Sequence, residues 1–597
     1  MCRIYGFLHA SVTDGEMATV GALQHHGGPD ARGFVRRGRA GLGYTRLAII
    51  DPAHGDQPYR LGDRITAVFN GEIYNHDALR ATLRRQGYTF ADRCDGSIIP
   101  ALYELHGPDF VDLLDGMFTL AVLDERDRPT LLLATDDVGM KPLYYRWDAA
   151  ARSLHFASEL PALRGFSAVG AQRWEPGLDA YLATKTPFGE RTLLSEVRVL
   201  PPATTLTCVA GGRPVVRNRG REPLAPCGDL PAAAAGLRER LAEEVRRLLA
   251  ADCPVAVITS GGLDSSLVTR LAAAHQPVDS FHLTYRGTWP GDEREYARQV
   301  AAAAGTRHHE VEVDPTTFPD LVEAVVRHLG QPNADPITVS TYALFRAVRE
   351  AGYRVALTGD AADEVFGGYD RMRTAVAADD WLPGYLDALA VLPQRDRYAL
   401  YTPQYRAFVH GLAPVPDAGL ALLRDGPGSV LDRILRFEQR YRLPSYHLRR
   451  VDHLSMASSV EVRLPFCQRT VWQWGRALAD PLRIQGAEVK RALYAAAEGL
   501  LPASVLHRPK QPFTLPVQAM LAPGQPLWAY ARDVLTAGRM RADGQLEPAA
   551  VEALFRAREE RADDRVALTL WALLIYHVWL DQGAAAPDRH PAVGVPA

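Results

Sequence analysis

The chain has 597 residues, 47% of them hydrophobic and 23% charged; these are globular proportions on a chain too long for one ordinary core, so two large domains are expected. Its 67 basic and 70 acidic residues leave a net charge of -3, which argues against a general nucleic-acid or anionic-membrane surface and for small-molecule chemistry. No apolar run reaches transmembrane length, and the N-terminal stretch carries Asp14 and Glu16 where a signal would be basic and apolar. Six cysteines without C-x-x-C spacing read as reduced thiols of a cytoplasmic protein rather than as a disulfide frame or a zinc site. Lysine occurs only at 141, 185, 490 and 510, so a retained lysine can mark a place where a compact point charge matters. Lys490, taken alone, reads as a surface lysine.

In chain order, Met1-Cys2 comes first. Loss of Met1 would leave a thiol and an α-amine on one residue, and that amine can act as general base for its own thiol. A cysteine that falls second by chance is the plain alternative. Strand-like segments follow at 41–51, 65–72, 117–123 and 130–134, with helices at 77–85 and 98–105, a sheet-rich α+β pattern. Asn70-Gly71 at a strand end suits a hairpin turn, or an oxyanion hole in which the Asn70 amide and the Gly71 N–H donate to a tetrahedral intermediate. Residues 206–231, rich in Gly and Pro, read as a linker after a first domain of 1–205.

A second domain is expected over 232–582, beginning with a helix from Ala232 to Leu249. The β-branched run Val255 to Thr259 feeds Ser260-Gly261-Gly262-Leu263-Asp264-Ser265-Ser266 and then a helical stretch. Glycines that admit backbone N–H groups, three serine hydroxyls and a helix start together make a phosphate-sized anion site. An ordinary capped strand-to-helix turn is the plainer reading of a lone Gly-Gly. Strands at 280–284, 309–313 and 353–357 alternate with helices, which argues a doubly wound parallel sheet whose ligands bind beyond the strands' carboxyl ends. The last of these strands runs into Thr358-Gly359-Asp360-Ala361-Ala362-Asp363-Glu364. Asp264 and Asp363 each suit a helix cap; with two such loops on one sheet, Mg2+ binding is the reading taken, since a hard cation on phosphate wants one or two carboxylates. A closing helix is expected at 566–582 and a disordered tail at 583–597.

The loop Ser260 to Ser266 lacks a Walker lysine and resembles the pyrophosphate loop of ATP pyrophosphatases. The wider pattern is more specific. In the first half, Cys2, His26-Gly27-Gly28-Pro29-Asp30, Arg46-Leu47, Asn70-Gly71-Glu72-Ile73-Tyr74-Asn75, Asp95-Gly96, Lys141-Pro142-Leu143-Tyr144-Tyr145 and Ala157-Ser158-Glu159 resemble the N-terminal-nucleophile glutaminase domain of glutamine-hydrolysing asparagine synthetases. In the second, the loops at 260–266 and 358–369, Asp452-His453-Leu454-Ser455-Met456, Val460 to Phe466 and Arg508-Pro509-Lys510 resemble the synthetase domain of the same family. The resemblance implies that Cys2 attacks the glutamine amide, Asn70 and Gly71 hold the oxyanion, Arg46 takes the substrate carboxylate, Glu72 and Asp95 hold the α-amino group, and the backbone up to Ile50 lines the site. It further implies that Thr259, Leu283, Thr358 and Gly359 cradle the adenosine part of ATP beside Ser260, Gly261, Gly262, Asp264 and Ser265. Lys510 would steady the departing pyrophosphate, and Asp360 would take part in forming or consuming an acyl-adenylate.

Departures from the family pattern stand at Arg3 (usually Gly), Gly27 (usually Arg), Ser97, Thr135, Asp360 (usually Glu) and Cys467-Gln468. Arg3 is expected to supply the guanidinium missing at position 27. The implied function is ATP-dependent activation of a carboxylate, aspartate by default, and its amidation by glutamine-derived ammonia carried between domains docked through a largely apolar face. The alternative is a divergent relative that uses another carboxylate or nitrogen donor, or closes an amide ring. Small molecules are the expected partners, without nucleic acid or membrane, and a homodimer is an open assembly state.

Overall fold

A computed structural model describes residues 2–220, 224–289, 292–508 and 516–584. The first 220 residues build two stacked, mostly antiparallel six-stranded sheets. In spatial order one holds Val197–Val199, Tyr144–Asp148, Ser153–Ala157, Cys2–Leu8, Ala40–Arg46 and Ala31–Arg37; the other holds Val215–Asn218, Thr204–Val209, Thr130–Thr135, Gly116–Asp124, Ile65–Ile73 and Tyr59–Leu61. Period-two alternation divides each strand between two apolar layers. Ile4 and Leu8 meet Val68, Ala121, Leu123, Leu131 and Leu133 between the sheets, whereas Tyr5 and Phe7 turn to the opposite face. Helices His76–Arg85 and Ile99–His106 cover the outer face of the second sheet, around Phe69, Leu102 and Phe118.

The segment read as the start of a linker instead adds two strands, Thr204–Val209 and Val215–Asn218, to the second sheet. Thr and Val at alternate positions can pair on a sheet edge despite the intervening Gly211-Gly212 turn, which is what makes composition alone read as a break. Helix Leu230–Leu248 begins two residues before the expected Ala232, because Asp229 accepts the Ala232 N–H as its cap and Pro231 sits in the first turn.

The second half carries a five-stranded sheet, parallel throughout, in the order Arg307–Val313, Asp279–Tyr285, Val255–Ile258, Val355–Leu357, Glu461–Arg463. The chain winds outward from Val255–Ile258 in one direction and returns to its other side with Val355–Leu357. Strand order therefore reverses between those two strands, and a doubly wound sheet opens its ligand crevice at such a point. Helices Leu263–His275 and Ile337–Glu350 pack on the sheet, and Asp564–Ala584 closes the domain. The apolar layer on the outer face of the first sheet is continuous with the core of the parallel-sheet domain, through Tyr181, Leu160, Val339 and Trp571 among others. Lys510 and residues 585–597 lie outside the described residues.

Candidate active sites

Cys2 opens the strand Cys2–Leu8, directly opposite Arg46 in the pairing register, and is 5% exposed. Its backbone N–H donates to Asn70 Oδ1 at 3.3 Å, and Gln57 Nε2 donates to its Sγ at 3.0 Å. Gln57 is itself clamped to both backbone groups of Phe69. Asn70-Gly71 lies within the strand Ile65–Ile73, opposite Thr119 and Phe118, so the hairpin-turn alternative is not realised. A side chain at Gly71 would meet the Met117 carbonyl at 2.0 Å, which only glycine avoids. Asn70 Nδ2 is buried with no hydrogen-bond partner among the described residues. A buried amide donor without a partner costs stability unless something arrives to accept it, so the pocket is shaped for an oxygen.

Burial pushes the Cys2 thiol up to about 11, with nearby Arg46 opposing. The thiol therefore needs an adjacent base before it can attack. Arg46 holds the neighbouring loop, donating to the carbonyls of Asp51 and His54 at 2.8 Å and of Ile50 at 3.4 Å and pairing with Asp56 at 2.9 Å. Asp95 accepts the Ile73 N–H at 2.7 Å. Glu72 and Asp95 are both buried, and burial raises both carboxyls above their usual range; Glu461 adds to the rise at Glu72 while Arg463 opposes it.

In the second domain both glycine-acid loops leave the carboxyl ends of the two strands flanking the reversal. Ser260 Oγ and Ser265 Oγ lie 2.9 Å apart, and Ser265 Oγ accepts the Ser260 N–H at 3.1 Å, which folds the first loop into a tight cup. Gly261, at φ +78°, leaves no room for a side chain against Tyr296. A Cβ on Gly359 would stand 2.5 Å from the Ser265 nitrogen, so the two loops touch. They line a cleft of about 420 Å3 together with Ser260, Gly262, Asp264, Thr358, Asp360 and Asp363. Thr259 and Leu283 are buried and do not line this cleft, the Thr259 hydroxyl being bonded to Thr269 at 2.6 Å. The Asp360 carboxylate accepts from Thr358 Oγ1 at 2.6 Å and lies 3.4 Å from Arg450.

Lys490 corrects the sequence reading. It is not a surface lysine: it is 4% exposed, and its Nζ lies 2.7 Å from Asp264 and 2.8 Å from Asp363. Burial opposes its charge, but the two carboxylates hold the ammonium above the ordinary lysine value. Lysine scarcity was the available signal, and Lys141 repeats it: buried, it pairs with Asp452 at 3.0 Å. The far end of the cleft also escaped the sequence reading. A π-helical segment, Glu438–Leu448, presents Arg442 and His447 there. Glu364 accepts from the Tyr369 hydroxyl at 2.6 Å and lies 3.1 Å from His447 and 3.7 Å from Arg442. Burial opposes ionisation of Glu364, yet the neighbouring His447 and Arg442 hold it down to about 2.

One buried residue, Arg463, joins the pockets, and another, Arg3, joins the two domains beside them. Arg463 stands 3.6 Å from Glu72 and 2.5 Å from Glu461, and its backbone carbonyl accepts the Thr358 N–H at 3.2 Å. Arg3 points away from Cys2 by strand alternation, and it bonds Glu159 of its own domain at 2.7 Å and Asp452 of the second domain at 2.6 Å. A Cβ on Gly27 would meet the Arg3 side chain at 2.7 Å, so Arg3 fills the space that an arginine at 27 would need. Burial pushes the Asp452 carboxyl up, but Arg3 and Lys141 bring it down to about 2. Arg3→Gly is expected to destabilise the chain by about 3 kcal/mol, the low end for breaking a buried pair because Lys141 and His26 still serve the orphaned carboxylates. Denaturant unfolding checks this, and Arg3→Gly with Gly27→Arg should recover part of the loss. An unchanged midpoint in the single variant would remove the clasp.

The asparagine synthase family model matches residues 236–581, and the glutamine amidotransferase domain model matches residues 1–217. Among curated relatives, asparagine synthetase [glutamine-hydrolyzing] 3 of Bacillus subtilis is 28% identical over 513 residues, covering 81% of this chain and 82% of that protein. Asparagine synthetase [glutamine-hydrolyzing] 1 of the same organism is 26% identical over 595 residues, covering 93% and 91%. Asparagine synthetase [glutamine-hydrolyzing] 3 of Arabidopsis thaliana is 34% identical over 355 residues, covering 58% and 56%.

Proposed function

The chain belongs to the asparagine synthase family, with a glutamine amidotransferase domain before its synthetase domain, and from that premise we propose that it adenylates a carboxylate, aspartate by default, releases pyrophosphate, and amidates the acyl-adenylate with ammonia from glutamine. The observation that carries the reading is Arg463, one residue that touches both the wall of the thiol pocket at Glu72 and the loop of the cleft at Thr358. A joint of that kind suits two reactions that must run in step.

In the first pocket Cys2 Sγ attacks the glutamine amide carbon. Asn70 Nδ2 and the Gly71 N–H receive the oxyanion, worth on the order of 10²–10³ in rate for each well-placed donor. Arg46 and the loop through Ile50 bind the glutamine carboxylate, and Glu72 and Asp95 its amino group. With Met1 removed, the α-amine of Cys2 beside Asn70 Oδ1 serves as base for the buried thiol. Ammonia then moves through the apolar domain contact, where it stays unprotonated.

In the second pocket the cup formed by Ser260, Gly261, Gly262 and Ser265 receives the β- and γ-phosphates, and Thr358 and Gly359 face the nucleotide. Asp264 and Asp363 converge on one nitrogen, a donor pair that fits Mg2+ bound mainly by phosphate and water. The ion, when bound, would neutralise phosphate charge, and Lys490 would follow that charge onto the leaving pyrophosphate, a task shared with Lys510. Asp360, held by Thr358 and Arg450, faces the acyl-adenylate.

One observation favours a second reading, a divergent amide synthetase. Asp360 leaves the acceptor end one methylene wider than a glutamate would, and Arg442 and Arg450, with the His447 ring beside them, offer guanidinium groups to an acid larger than aspartate. ATP–pyrophosphate exchange across a panel of carboxylates decides between them. Aspartate-dependent exchange is expected; exchange with another acid alone selects the second reading, and exchange with none would end both.

A further inference from the structure

A second interdomain cavity, of about 310 Å3, lies apart from both pockets and is lined by Arg191, Arg198, Arg440 and Arg449, with Lys141 and a single acid, Glu190. The guanidinium groups are held by neutral partners. Arg191 lies over the Trp174 ring, 4.8 Å from its centroid. Arg198 donates to the carbonyls of Ser195 and Val197 at 2.9 and 3.3 Å. Arg440 is exposed and, among the described residues, makes no ion pair. Arg449 is 6% exposed; its Nη2 donates to the Gly189 carbonyl at 3.1 Å and to Ser445 Oγ at 2.8 Å, the neutral Tyr144 hydroxyl is a further neighbour, and among the described residues no carboxylate pairs with it. Three other buried arginines are neutralised, Arg3, Arg397 and Arg463 each holding a carboxylate within 3.0 Å. A buried guanidinium without a counter-charge is costly, and burial shifts Arg449 below the ordinary arginine value.

We propose that this cavity binds a small polyvalent oxyanion, a di- or tricarboxylate or a phosphate ester, whose oxygens supply the counter-charge that Arg449 and the arginines around it lack. Guanidinium forks suit such groups because two N–H donors meet two oxygens at once. The position adds a consequence. Arg449 opens the helix Arg449–Met456, whose next residues Arg450 and Asp452 contact Asp360 and the Arg3–Lys141 clasp. An anion there bears on the segment that joins the two pockets, a regulatory role that rests on the proposed two-site function.

Isothermal titration of the full chain with citrate and, separately, with inorganic phosphate tests the site. Saturable one-site binding of at least one probe is expected, weakened about tenfold or more by Arg440→Ala and by Arg449→Gln with ATP affinity unchanged. Arg440 is exposed, so its variant should fold normally. Citrate binding assigns the site to carboxylates and phosphate binding to phosphorylated metabolites. Binding of neither probe, wild-type affinity in both variants, or displacement of the probe by ATP overturns the proposal. In the wild-type enzyme the bound probe should change the ratio of amide formed to glutamine hydrolysed; bound probe with a constant ratio overturns the regulatory role and leaves the site.

Discussion

Cys2→Ala is expected to lower glutamine-dependent amide synthesis by about 10³-fold or more, the order expected when a covalent nucleophile is removed, while ammonia-dependent synthesis continues near the wild-type rate. The substitution is small in structural terms. Cys2 Sγ accepts from Gln57 and from the Leu47 backbone, and Gln57 keeps both bonds to Phe69 without the thiol. Asn70 also stays oriented, because its Oδ1 accepts from the Cys2 backbone rather than from the thiol. Loss of glutamine use in this variant therefore reports chemistry rather than collapse of the pocket. Assays with glutamine and with ammonium salts, at equal ATP and acceptor, read the two rates separately. If alanine at position 2 stopped both reactions, the division of labour between the pockets would fail.

Lys490→Met should reduce ATP–pyrophosphate exchange by about 10²–10³-fold, the scale for removing one well-placed charge from a developing anion, and leave glutamine hydrolysis at the first pocket largely intact. The same change leaves Asp264 and Asp363 facing one another without the ammonium between them. Like charges in close reach raise carboxyl pKa values, so the variant should lose stability at neutral pH and regain some on acidification as a carboxyl protonates. Added Mg2+ should also restore stability by standing in for the lost cation, seen as a higher unfolding temperature than in the Mg2+-free variant. Lys490→Arg tests shape against charge. A Cβ on Gly368 would stand 2.1 Å from Lys490 Cε, so the side chain is tightly packed and a broader guanidinium does not fit. Exchange within a few-fold of wild type in the methionine variant would take Lys490 out of the nucleotide chemistry.

Much of the two-domain plan was legible because it rests on local rules. The strand at 65–73, the helices at 76–85 and 99–106, and the parallel strands around 255, 280 and 310 follow hydrophobic periodicity, and each lies within a few residues of its expectation. The strand at Cys2–Leu8 was not expected, because Cys-Arg-Ile-Tyr-Gly-Phe-Leu is buried on both faces and shows no apolar-polar alternation to mark a strand. The strand at 204–209 and the edge strand at 215–218 were hidden by the Gly-Pro composition around them. Asn70-Gly71 shows a further limit: the dipeptide is compatible with a turn, and its place inside a strand is set by pairing with Thr119 and Phe118 far along the chain.

By itself the order of residues determined which chemistry is carried: a thiol at position 2, an anion loop at 260–266, a second glycine-acid loop at 358–369, and an arginine at position 3 alongside a glycine at position 27. These are legible because hydroxyls, thiols, carboxylates and glycines act through local geometry. Only the tertiary structure decided who stands beside whom. It placed Lys490 between Asp264 and Asp363, Arg463 between Glu72 and the nucleotide loop, and Arg3 over Gly27 in reach of Asp452. Such pairings join residues far apart along the chain, and their strength comes from shared burial in a low dielectric, a property that exists only after the chain has folded.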